Sequence, residues 1–284
     1  MELIKNYRNN NNLRNSFNEL AEITFGINFE SWYQNGFWND LYIPYSIIKN
    51  NEIIANVSVN LIDIRGNEGT MHLIQLGTVM TKQEYRNQGL IRKIMNEIRK
   101  DFDGRIDGMF LFANDEVINF YPKLGFEKEN EFQYSRQVNN TEKATIKHTP
   151  MKRKEEWNVL VQAINSNKFC GSFDMTNNSD LIMFYVSNFM QENIYYNDEL
   201  NAYVIAEIDN DHLLIHNIFA DSQIELDKII TSFGDNIKSV TLGFVPKNTS
   251  GYEVKKLKED DTTLFVRNFS FGNKKLMFPT LSHA

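Results

Sequence analysis

The chain has 284 residues, 42% hydrophobic and 24% charged, with a formal net charge of −7. This length accommodates one large domain or two ordinary ones, and the acidic balance argues against nucleic acid as the main partner while suiting cationic small molecules. The single cysteine, Cys170, excludes an intrachain disulfide, and with no histidine motif near it a buried or incidental thiol is expected. The polar start MELIKNYRNNNN carries no signal sequence and no apolar run reaches membrane-spanning length, so the cytoplasm is the expected location.

In chain order, a helix is expected over 13–25, where Leu13, Phe17, Leu20, Ala21 and Phe25 form an apolar stripe. The segment 29–45 then gathers Trp32, Phe37, Trp38 and Tyr42 around two acids, Glu30 and Asp40. These rings either line a pocket for a partly apolar amine, through cation–π and ion-pair contacts, or simply cover a sheet edge. Residues 45–49 and 53–60 read as paired strands around the turn Lys49-Asn50-Asn51-Glu52, with 61–64 extending the second strand. A further turn, RGNEGT, leads into a central strand over 73–81. Gly77 interrupts that strand, which marks a bulge or the close approach of another backbone or a ligand.

The turn Arg86-Asn87-Gln88-Gly89 opens a helix from about Leu90, with Leu90, Ile91, Ile94, Met95 and Ile98 on one face. The first turn of a helix leaves backbone N–H groups unpartnered at a positive dipole end. Gly89 removes the side chain that would block an anion from them, and Arg86 adds a positive charge, which together make a phosphate-binding design. Neither a P-loop run nor a dinucleotide fingerprint is present. Residues 108–113 read as a buried strand, and Asn114-Asp115 stand at an N-cap position. A helix carrying Val117, Phe120 and Tyr121 is expected next, closed by Pro122-Lys123-Leu124-Gly125-Phe126, and 132–138 supplies the last strand of this half.

A polar linker spans 139–151. Beyond it, helices over 157–165 and 181–192, strands over 202–208 and 212–219, a helix over 224–233 and a strand over 239–245 loosely repeat the first layout, with short closing strands at 264–267 and 275–278. Where the first half has its basic glycine turn, this half has Ala220-Asp221-Ser222-Gln223, an acid where an anion would sit.

Two motifs carry a family resemblance. R-x-x-G-L-I, following a strand that ends in Val-x-Thr, resembles the pyrophosphate loop of the GNAT superfamily of acetyl-CoA-dependent acyltransferases. F-Y-P-K-L-G-F is similar to that family's Y-x-x-x-G-F signature. The form R-x-x-G-[IL]-[IL]-R, with Ile91 where Gly or Ala is common, resembles the enhanced-intracellular-survival branch, which carries two GNAT units. The sterol-carrier-like third domain of that branch is not expected here. The resemblance covers 73–126. It implies an α/β (α+β) chain of tandem GNAT folds, each a mixed, mostly antiparallel central sheet flanked by helices. The catalytic unit would span 1–139 and a degenerate unit 150–284, the latter binding no coenzyme and serving as scaffold, acceptor-site wall or dimer surface.

The activity so implied is an N-acetyltransferase using acetyl-CoA and no metal, in which a neutral amine attacks the thioester directly. By resemblance, Val79, Met80 and Thr81 contact the acetyl group and pantetheine, with the N–H of Val79 or a neighbour serving the oxyanion. Arg86, Asn87, Gln88, Gly89, Leu90, Ile91 and Arg92 hold the pyrophosphate, Asn114 lies near the pantetheine arm, and Tyr121 is the acid for the departing thiolate. Glu30, Trp32, Phe37, Trp38 and Asp40 are the expected acceptor-binding residues. Many members place a Glu on the central strand, but here that strand offers Gln75, with His72 at its far end. The terminal carboxylate of Ala284 is therefore the expected base, as in that branch. Two rivals are a non-catalytic acyl-CoA sensor, favoured by the missing strand acid, and an aminoacyl-transferase built on paired GNAT folds, disfavoured by the retained loop and the acidic charge. The expected partner is a small-molecule or peptide amine, without nucleic acid or membrane; exposed strands of the second half offer a route to self-association.

Overall fold

The computed structural model describes residues 1–283 apart from Asn67, Cys170 and Asn177, so the expectations for Cys170 and Ala284 lie outside the described residues. The first half runs β1 (Glu2–Lys5), α1 (Asn11–Phe25), α2 (Glu30–Gln34), β2 (Tyr42–Lys49), β3 (Glu52–Gly66), β4 (Gly69–Thr81), α3 (Leu90–Phe102), β5 (Gly108–Ala113), β6 (Glu127–Lys128) and β7 (Phe132–Gln137). The second runs β8 (Lys147–His148), α4 (Lys154–Asn165), β9 (Phe173–Thr176), α5 (Ser179–Asn188), β10 (Ile194–Asn197), β11 (Ala202–Asp209) and β12 (His212–Ala220). It ends with α6 (Leu226–Ser232), β13 (Ser239–Leu242), β14 (Glu253–Lys256) and β15 (Thr263–Arg267).

Local chemistry fixes the helices that matter for the site. The Asn10 side chain caps α1 by accepting from the N–H groups of Asn12 and Leu13, and Gly26 closes it at φ +70°. α3 buries Leu90, Ile94, Met95 and Ile98 on one face, while Arg99 and Lys100 complement the dipole in its last turn. Between β5 and β6, however, the chain forms 3-10 turns at Asp115–Val117 and Tyr121–Leu124, where a helix is expected from sequence. Asn114 makes no side-chain cap, and Pro122 contributes no N–H to a helical ladder.

Among the described residues the strands form two sheets. The first has the order β1-β2-β3-β4-β5-β15-β6, with β9 added to the far end of β3; the second has the order β14-β7-β13-β12-β11-β10-β8. Both repeat one scheme, an antiparallel pair (β3–β4, β11–β12) followed by a parallel strand (β5, β13).

The closing strands are exchanged. The segment expected to end the first sheet, now β7, pairs with β13 and β14 of the second sheet, and β15 takes its place between β5 and β6. Burial explains the choice. Leu264 and Val266 face one side of the first sheet and Phe265 the other, a run that suits a strand covered on both faces. The sequence FQYSRQ of β7 buries Tyr134 alone and fits the more open sheet. The segment 275–278, expected as a strand, is irregular and runs inward.

Consequently the two units share one core. The face of the first sheet opposite α3 is continuous with the interior of the second unit, from Phe17, Phe29 and Tyr42 through Phe110 and Phe278 to Ile215 and Leu242. Carboxylates stitch the crossing point: Glu129 Oε2 accepts from the N–H of Phe271 at 3.1 Å, and Glu131 Oε1 from that of Phe278 at 2.8 Å. Glu131 is 6% exposed, and burial pushes its carboxyl up to about 8. A carboxyl with a raised folded pKa contributes stability that is complete below its unfolded value, about 4.3, and is lost as pH rises through about 8. Chemical denaturation from pH 5 to pH 9 should therefore show falling stability, and Glu131→Gln, which keeps an acceptor for Phe278, should flatten that fall.

Candidate active site

The geometry of the site begins with a parting of strands. β4 and β5 run parallel through the pairs Leu73–Gly108, Ile74–Met109 and Gln75–Phe110, and no further. β4 continues to Thr81 with β3 on one side, while β5 continues to Ala113 with β15 on its other side. Alternate backbone groups of β4 beyond Gln75 thus face an open slot.

A bulge bends β4 within this slot. The register with β3 shifts between the pairs Ser58–Gly77 and Asn56–Met80, and Thr78 sits at φ +48°. For a β-branched residue this conformation is strained by on the order of 1–3 kcal/mol. Hydrogen bonds hold it: Tyr42 Oη and Thr78 Oγ1 lie 2.6 Å apart, and Asn56 Nδ2 donates to Thr78 O at 2.9 Å. Asn56 Oδ1 accepts from Ser46 Oγ at 2.8 Å, Asn56 Nδ2 also reaches Ser58 Oγ at 3.0 Å, and Tyr7 Oη meets Ser46 Oγ at 2.7 Å. Burial pushes Tyr42 up to about 12, so it stays a hydroxyl. This network was not expected from sequence. Its signal is the N-x-S-x-N spacing of Asn56, Ser58 and Asn60, polar residues on one face of an otherwise apolar strand. Farther along that face, Asn60 and Gln75 stand opposite each other; Gln75 is fully buried, and neither its amide nor Asn60 Nδ2 has a hydrogen-bond partner among the described residues.

Beyond β4 comes the glycine turn. Asn87 lies at φ +62° and Gly89 at φ +73°, the left-handed region that makes glycine the natural N-cap here. No side chain caps α3, and a Cβ on Gly89 would meet nothing within 4 Å, so its first turn faces open space. Arg86, Asn87, Gln88, Gly89 and Arg92 are exposed, Ile91 is half-buried and Leu90 is buried beneath them. Arg86 Nε donates to Thr81 O at 3.4 Å, tying the loop to the end of β4. Val79 and Thr81 are half-buried, Met80 is buried, and Asn114 is exposed at the end of β5.

Tyr121 packs into the apolar cluster under α3, against Phe120, Phe126 and Phe265, with Leu76, Leu90 and Ala113 in the same cluster. Burial pushes its hydroxyl up to about 12. His72 lies at the opposite end of β4, exposed and paired with Asp63 at 2.7 Å.

The expected acceptor residues are put to other uses. Trp32 and Trp38 are 2% and 3% exposed in an aromatic cluster with Phe17, Phe29, Tyr42 and Phe184. Their indole N–H groups are spent on Asp180 O and Tyr42 O. Glu30 accepts a two-pronged bond from Arg14, at 2.7 and 3.0 Å, and Asp40 pairs with Arg8 at 2.6 Å. Phe37 bridges to Trp157 of the second unit. Rings of this size supply more energy as core than as a wetted wall, and an arginine fork neutralises a carboxylate more fully than a mobile amine.

The family model for the acetyltransferase (GNAT) domain matches residues 42–128, from β2 through the glycine turn to the Tyr121 segment. This part of the chain is a GNAT acetyltransferase domain. The protein is accordingly an acyltransferase. Comparison with curated proteins gives no match. Among solved structures, a probable N-acyltransferase from Enterococcus faecalis V583 is similar at 17% identity and a TM-score of 0.61, over 94% of this chain and 72% of that one. Eis1 from Mycobacterium abscessus is similar at 10% identity and a TM-score of 0.58, over 94% and 73%. A GCN5-related N-acetyltransferase from Kribbella flavida aligns at 13% identity and a TM-score of 0.56, over 93% and 70%. At such identities the likeness is one of fold, and it covers both units, as the tandem GNAT reading of the sequence implied. Among the described residues no helix is long and apolar enough to cross a membrane.

If the Asn56 network holds the bulge, Asn56→Ala should lower stability by about 1–3 kcal/mol in urea unfolding, because it strands buried partners. An unchanged midpoint would show that the bulge holds without it.

Proposed function

We propose that the protein transfers an acetyl group from acetyl-CoA to a primary amine of a small molecule or peptide by direct attack. The observation that carries this reading is the slot between β4 and β5, opening beside the uncapped, glycine-fronted start of α3. A thioester arm fits such a slot by strand-like bonds to Val79, Met80 and Thr81. The pyrophosphate fits the free N–H groups after Gly89, with Arg86 and Arg92 as counter-charges and Asn114 near the arm. In the reaction the amine nitrogen forms a C–N bond as the C–S bond breaks, the amine gives up a proton and the departing thiolate gains one. A main-chain N–H at the bulge serves the developing oxyanion.

The raised pKa of Tyr121 refines its part. A hydroxyl near 12 holds its proton firmly, and passing it outright to a thiolate whose thiol has a pKa of about 8.5 is uphill. A hydrogen bond to the developing thiolate is the role that fits. The described groups on the acceptor face are poor bases: Gln75 and Asn60 are amides, Tyr42 stays protonated, and burial pushes His283 down to about 4. Amines already neutral near pH 7 are therefore favoured, such as a peptide α-amino group at about 7.7–8.0 over a lysine side chain at about 10.4.

Thiol release from acetyl-CoA across a panel of amines tests the reading. Release should depend on the amine, favour α-amino acceptors at neutral pH, and fall about 10²-fold in Tyr121→Phe, the cost of losing one hydrogen-bond donor to developing charge. Coenzyme A binding without release from any amine would instead support a non-catalytic acyl-CoA sensor.

A further inference from the structure

The second sheet has an opening built like that of the first. β12 runs parallel to β13 from the pair His212–Ser239 to the pair Ile215–Leu242, and there the pairing stops while β12 continues to Ala220. A bulge lies at the same level, because the register with β11 jumps from Ala206–Ile215 to Ile205–Asn217 and leaves His216 unpaired. The second unit thus keeps both the parted strands and the bulge that make the slot in the first.

In the second unit the chain's own segment 278–283 is seated at the mouth of that slot. The Thr280 N–H donates to Gly243 O at 2.8 Å, while the Gly243 N–H donates to Ile215 O at 2.7 Å. His216 Nε2 lies 3.0 Å from Glu207 Oε1, and His216 Nδ1 lies 3.0 Å from Thr280 Oγ1. With Nε2–H donating to the carboxylate, Nδ1 is left to accept the Thr280 hydroxyl. Gly243 has to be glycine for this approach: a Cβ there would come within 2.5 Å of Thr280 Oγ1 and 3.0 Å of the His216 backbone. Phe278, Leu281 and Ser282 are fully buried.

From that seat the segment reaches the first unit twice. Phe278 stacks on Phe110 with ring centres 3.9 Å apart, and His283 stacks on Phe112 at 3.6 Å. Phe110 belongs to the last rung joining β5 to β4, and Phe112 lies beyond it, where the strands have separated. The carbonyl of His283 accepts from the hydroxyl of Tyr185 on α5. The neighbouring Phe184 stacks on Phe29, and Phe29 on Tyr42, whose hydroxyl holds the Thr78 bulge.

We propose that the second unit's slot is a permanent seat for segment 278–283, and that the Thr280–His216 contact positions Phe278 and His283 as the acceptor-side wall of the first unit's slot. Thr280 and His216 are then positioning residues, and the second unit shapes acceptor recognition from a place where a coenzyme would otherwise lie. The acceptor part of this inference rests on the acetyltransferase reading above; the seating of the segment does not.

The test uses Thr280→Val, which removes the hydroxyl at nearly constant volume, and Thr280→Ser, which restores it. Two readouts are taken, the NMR titration of His283, assigned with His283→Gln, and separate KM values for acetyl-CoA and for an accepted amine. In the wild type and in Thr280→Ser, His283 should titrate far below the usual histidine value of about 6.5. In Thr280→Val it should move toward that value. The amine KM should rise about tenfold, the worth of one buried hydrogen bond, with the acetyl-CoA KM within about twofold. An unmoved His283, an unmoved amine KM, or equal rises in both KM values would overturn the proposal. Failure of the wild type to bind coenzyme A would sink the enzymatic reading instead, and the His283 titration would still decide whether the segment is seated as described.

Discussion

The rest of this structure depends on β4 and β5 being held apart after a single short stretch of parallel pairing. Two strands whose backbones could pair would normally do so, since unpaired amide groups in an interior are costly. They are kept from it because β4 is bent away from β5 by a bulge whose central residue, Thr78, adopts a left-handed conformation. The strain there is of the same order as the hydrogen bonds from Tyr42 and Asn56 that offset it. A slot results along which β4 has no strand partner on its β5 side among the described residues, and it ends at a helix start that no described side chain caps. An extended amide-bearing arm with a phosphate at one end is the kind of ligand such a slot suits.

The second unit is more than an appendage. Its β15 closes the first sheet, its β9 extends it, and its interior covers the face of the first sheet opposite α3. In exchange the first half contributes β7. Aromatic stacking then passes from the bulge through Tyr42, Phe29 and Phe184 on one side, and from β5 through Phe110 to Phe278 on the other. Each such pair contributes about 0.5–1.5 kcal/mol beyond burial. Together they give the two units one core, so a change in either unit is felt at the slot.

Sequence reasoning read the periodic elements well and the non-local ones poorly, for physical reasons. The stripes of α1 and α3, the apolar run of β4 and the glycine that opens the start of α3 are local signals; that Gly89 is left-handed is seen only in the structure. Alternation identifies a strand but not its partner, so the exchange of β7 and β15 was invisible until burial on both faces of β15 could be seen. The four-residue β1 is too short and too charged at its ends to stand out in a polar opening. Aromatics near acids left two readings of the Trp32–Trp38 segment, an acceptor pocket or a cover for the sheet; the fold buries those rings and pairs Glu30 with Arg14 and Asp40 with Arg8. The Asn56 network does leave a local trace, the period-two polar residues Asn56, Ser58 and Asn60 inside an apolar strand.

Both slots bear on one measurement. If the first slot takes the coenzyme and segment 278–283 fills the second, as proposed, calorimetric titration of the intact protein with coenzyme A should give a single site per chain. A single site lost on replacing Arg86 and Gly89 would be the predicted result. No binding, or two equivalent sites per chain, would contradict the account.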